Sequence, residues 1–60
     1  MTARQFRQLR ETLGLSQTAW AEWLGVHRVT VANIEAGRKP LTDTMARLAE
    51  AIQQGYRPKV

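Results

Sequence analysis

The sequence predicts an all-α domain built from four short helices. Glycine and proline punctuate the chain at even intervals, at Gly14, Gly25, Gly37 with Pro40, and Gly55 with Pro58. Between these breaks, apolar residues recur at helical spacing. No stretch sustains the alternation of a half-buried strand.

The first helix runs from about Thr2 to Leu13. Thr2 and Gln5 have the spacing of a capping box, and Phe6, Leu9 and Leu13 make the apolar stripe. Gly14 suits the left-handed position that ends a helix. Ser16 caps the second helix, Gln17 to Leu24, whose inward face is Trp20, Ala21 and Leu24 before Gly25 stops it. The third spans His27 to Ala36. Val31 and Ile34 fall together toward the core, while Arg28, Val29, Ala32 and Asn33 fall on the other side. The fourth begins near Thr42, with a start uncertain by two residues, and runs to about Gln53. It buries Met45, Leu48, Ala49 and Ile52. Residues 1–54 thus form one domain, and 55–60 a tail without helical pattern.

Composition narrows the function. Sixty residues make one domain at most, and a chain of that size buries only about 60% of its unfolded surface. Cysteine is absent, so disulfides and the usual zinc sets are excluded, and His27 alone builds no metal site. Self-association is the stabiliser left, and a homodimer is expected. Nine Lys and Arg against five Asp and Glu give a net charge of +4, which favours polyanions. Arginine outnumbers lysine seven to two, and its planar fork suits phosphate and guanine. No apolar run reaches the ~20 residues of a membrane span, and no signal-peptide pattern opens the chain. A cytoplasmic protein is expected. One histidine, no cysteine and no clustered carboxylates leave no catalytic constellation, so neither an enzyme nor a cofactor is expected.

The second and third helices, joined through Gly25 and Val26, fit a helix-turn-helix unit. The helices of such a unit cross closely, so a small residue is needed midway along the first, and Ala21 supplies it. The tight turn needs a residue tolerant of positive φ, and Gly25 is there. Trp20, Leu24, Val26, Val31 and Ile34 lock the pair. An ordinary helical hairpin would also use glycine and leucines, but it would not meet all these offsets together.

The run SQTAWAEWLGVHRVTVANIEAGRKP resembles the core of Cro/XRE-type helix-turn-helix regulators, which include phage repressors. The likeness extends back through FRQLRETLGL and forward through MARLAEAI, from about Thr2 to Ile52. It implies a compact four-helix domain of the lambda-repressor-like type, lacking the usual fifth helix. It further implies that the third helix enters the major groove of double-stranded DNA. Arg28 is then the principal base reader, bidentate on guanine. Asn33 pairs with adenine or bonds a phosphate, Val29 meets a thymine methyl, and Thr30 flanks base or backbone. Gln17, His27, Arg38 and Lys39 correspond to phosphate-contacting positions. Arg10 and Glu35 match a pair bridging the first and third helices; a rival reading gives Arg10 to DNA.

Three departures stand out. His27 sits where the family has a Ser or Thr cap, so it caps poorly, contacts DNA, makes binding pH-sensitive, or is a plain surface residue. Leu41 stands where a capping Ser is common. The chain given stops soon after Ile52, so the dimer surface that relatives often build from a fifth helix is expected to be absent or replaced. Trp23 lies about 110° from the buried stripe of its helix. It either closes the core edge or, with Tyr56 or the tail, forms a contact between protomers. The resemblance implies a dimeric repressor on an inverted repeat, with no small-molecule effector. The Gly-x-Arg-Pro-Lys run of the tail is similar to one in autorepressors of anti-CRISPR operons. The competing class is a protein-interaction module, such as an antitoxin or adaptor, using the same fold.

Overall fold

The structure is a computed structural model and describes residues 1–58. Four helices follow in order: α1 (Ala3–Thr12), α2 (Gln17–Leu24), α3 (Arg28–Glu35) and α4 (Asp43–Gln53). No strand occurs among the described residues.

Each helix begins on a side chain that satisfies an otherwise unpaired backbone amide. Thr2 and Gln5 exchange two hydrogen bonds ahead of α1, at 2.9 and 3.1 Å. Ser16 accepts from the Ala19 amide, and Thr42 from that of Met45. The start of α4 is therefore set by Thr42, and Asp43 adds an acidic group to its first turn, where the helix dipole favours it. His27 caps α3 from outside the helix: its Nδ1 accepts from the Val29 amide at 3.1 Å. The sequence reading placed His27 and Ala36 within this helix, but both adopt cap positions.

Gly25 carries the turn between α2 and α3. Its φ of +72° lets the Val26 amide reach back to the Ala21 carbonyl at 3.0 Å, closing the helix end. Gly37, at φ +77°, does the same after α3.

The core is one cluster of Phe6, Leu9, Trp20, Ala21, Leu24, Val31, Ile34, Ala49 and Ile52, drawn from all four helices. Phe6 and Trp20 meet with ring centroids 5.5 Å apart and tilted by 53°, a favourable aromatic geometry. The small Ala21 lets α2 lie close against α3. Met45 and Leu48, expected in the core, are half-buried and pack against it, while Ala49 and Ile52 of the same helix are fully buried. Among the described residues, one buried side-chain polar atom lacks a partner, the indole nitrogen of Trp20.

Candidate nucleic-acid interface

Helix α3 turns Val31 and Ile34 into the core, and its remaining positions decide what it offers outside. Arg28 and Val29 are exposed, Val29 at 47%. Thr30, Ala32 and Asn33 are half-buried, so the outer face is narrower than helical spacing alone implies. Arg28 makes no ion pair and no side-chain hydrogen bond among the described residues. The ion pairs there are Arg7 with Glu11 and Arg10 with Glu35.

The loop after α3 is anchored to that helix. The Arg38 and Lys39 amides both donate to the Asn33 carbonyl, at 2.9 and 3.3 Å. Both cationic side chains are exposed and unpaired among the described residues. Arg28 at the start of α3, and Arg38 and Lys39 just past its end, are thus exposed cations without ion pairs among the described residues. His27, also exposed, stands at the amino end of α3. With Nδ1 taken up as the cap acceptor, the neutral ring carries its proton on Nε2.

The end of α3 also carries a half-buried ion pair. Arg10 donates from Nε to Glu35 at 2.8 Å and from Nη2 at 3.1 Å, a bidentate arrangement. The side chains are 13% and 5% exposed. A third donor, Nη1, reaches the Leu15 carbonyl at 2.9 Å, and Gln17 donates from Nε2 to Glu35 at 3.1 Å. One carboxylate thus joins the end of α3 to α1 and to the start of α2. Gln17 is half-buried and held, with its second amide hydrogen free of any intramolecular partner among the described residues. The Leu15 carbonyl carries no sequence signal for this role.

Trp23 and Tyr56 are treated differently by the fold. The Trp23 ring lies 6.5 Å from that of Trp20, and the Arg57 guanidinium sits 5.6 Å above it. Arg57 also donates to the Ile52 and Tyr56 carbonyls, both at 2.8 Å. Trp23 therefore closes the core edge within its own chain, whereas Tyr56 stays 53% exposed. The part played by Arg57 was missed from sequence. An arginine just after a helix-ending glycine was the available signal.

The arrangement matches a known family over residues 3–55, described as Helix-turn-helix domain. The chain belongs to the helix-turn-helix domain family. This domain class serves DNA-binding regulators, and α2 and α3 are its helix-turn-helix unit. No curated protein and no solved structure matches the chain. The helix-turn-helix domain holds no cluster of potential metal ligands among its described residues. None of its described helices is long and apolar enough to cross a membrane.

Proposed function

We propose that this helix-turn-helix domain is a sequence-specific transcriptional repressor that binds an inverted-repeat operator as a homodimer. In this reading α3 lies in the major groove. The observation that carries it is the outer face of α3, where an unpaired Arg28 and an exposed Val29 stand on a helix locked into the core by its other side. Arg28 donates to guanine N7 and O6, and Val29 covers a thymine methyl. Asn33 and Thr30 read or flank neighbouring positions. Gln17, His27, Arg38 and Lys39 hold phosphates and fix the register. Occupying a promoter is sufficient for repression, so no effector ligand is required. The closeness to Cro/XRE-type phage regulators supports the same assignment.

Selection from a randomised duplex pool at near-physiological salt tests the proposal. Enrichment of an inverted repeat, with half-sites about 34 Å apart if they share a face, supports a dimeric reader. A single unrepeated motif would remove the dimer and keep the reader. No enrichment from folded protein would replace DNA by a protein partner.

A further inference from the structure

Three large apolar side chains are exposed among the described residues, Met1, Val29 and Tyr56, and Val29 alone of these lies within a helix. Ala32 follows three positions later and is half-buried, so the two are neighbours on the outer face of α3. Arg28 stands one turn before Ala32, and Asn33 one turn after Val29. The four residues make a diamond on the helix surface. Its apolar diagonal, Val29 to Ala32, separates a cation from an amide.

Neither Val29 nor Ala32 has a side-chain donor or acceptor, so whatever they recognise must itself be apolar. The surroundings select the kind of partner. Arg28 at one end of α3 and Arg38 and Lys39 beyond the other are exposed cations, which favour a nucleic-acid backbone. At the base edges of the major groove, the apolar substituent on display is the C5-methyl group of a pyrimidine. Thymine carries it, and 5-methylcytosine carries it at the same ring position.

We infer that Val29 and Ala32 together form a seat for one pyrimidine C5-methyl group, and that α3 discriminates at that position by the methyl itself. The inference rests on the reading of α3 as the base-reading helix. It adds Ala32 to the residues that set specificity and 5-methylcytosine to the bases accepted. Ala32 forms the floor of the seat, short enough for a methyl group to touch it and the branches of Val29 together. A longer side chain at that position fills the space. A purely apolar seat is blind to the exocyclic oxygen of thymine and the exocyclic amine of cytosine. It therefore accepts 5-methylcytosine in place of thymine, and rejects uracil and cytosine.

The test is equilibrium titration of the 60-residue chain with the operator obtained by pool selection, its thymines replaced one at a time by uracil. At one thymine in each recognition site, uracil should weaken binding by about fourfold, the worth of one buried methyl group. Cytosine there should weaken it at least as much, and 5-methylcytosine should restore affinity to within about twofold of thymine. Val29→Ala and Ala32→Gln, with helicity confirming that each folds, should bind the thymine and uracil operators alike. Selective binding of an operator that tolerates uracil at every position overturns the seat and leaves α3 as the reader. Uracil sensitivity that persists in both variants assigns the methyl group to another residue and also overturns it. A 5-methylcytosine operator bound no better than its cytosine form overturns discrimination by the methyl alone. A chain that selects no sequence removes the base-reading role of α3, and the seat with it.

Discussion

At the scale of single residues, side chains with no intramolecular partner are separated from those that hold the fold. Arg28 has none, so Arg28→Ala should leave stability unchanged. It should cost about 1–3 kcal/mol of operator binding and relax preference at one base pair. Lys39→Ala should weaken all duplexes alike and reduce the salt slope by about one unit. Titrations of both variants at several salt concentrations check the division, and identical behaviour would abolish it. His27 belongs to the other group in part, since it caps α3. Removing a cap costs about 0.5–2 kcal/mol, whereas Ser restores it. Urea unfolding should therefore place His27→Ala below the parent and His27→Ser level with it or above. The sequence offered this cap only as a poor one among several alternatives, because imidazole seldom serves there and its use depends on ring orientation. Ser16 was easier to interpret, since a hydroxyl before a helical apolar pattern has few other roles, whereas Leu41, standing where a capping Ser is common, left the start of α4 open by two residues.

Helix ends were legible to within a residue or two, because the capping side chains and glycines act locally. Gly25 shows how local the constraint is. A Cβ built there meets no atom within 4 Å, so the objection to a larger residue is its φ of +72° alone. Gly25→Ala should cost about 1–2 kcal/mol, the left-handed penalty, and no more. A larger loss in chemical denaturation would reveal packing at the turn. The links between helices were less legible. Arg10 and Glu35 were paired through family resemblance, yet the carbonyl of Leu15 and the amide of Gln17 join them only because three helix ends converge in space. Glu35→Ala leaves the half-buried Arg10 guanidinium without its carboxylate, which should cost about 1–3 kcal/mol. It also frees Gln17, so operator affinity should fall even under conditions where the variant remains folded. Calorimetry and DNA titration on the same sample separate the two effects. Unchanged affinity in the folded variant would show that Gln17 needs no positioning. Similarly, Met45 and Leu48 fit the apolar period of α4, but periodicity alone does not reveal how much of each side chain its neighbours cover.

For the whole molecule, small size sets the response to a ligand. A chain with so small a core has little stability in reserve, and it has no disulfide to supplement it. Anything that binds only the folded state therefore shifts its melting strongly. An operator duplex present at a hundred times its dissociation constant adds about 2.7 kcal/mol. In a domain of this length each kcal/mol moves the melting temperature by about 4–8 °C, so operator DNA should raise it by roughly 10–20 °C. A duplex of scrambled sequence engages the same cations, Arg28, Arg38 and Lys39, through phosphate alone. Its shift should be smaller and should vanish as salt rises. Differential scanning calorimetry with the two duplexes at matched concentration makes the comparison. Equal shifts that disappear together in salt would mean that the α3 face senses charge and not sequence. A salt-resistant excess for the operator is what base contacts by Arg28 and Val29 require.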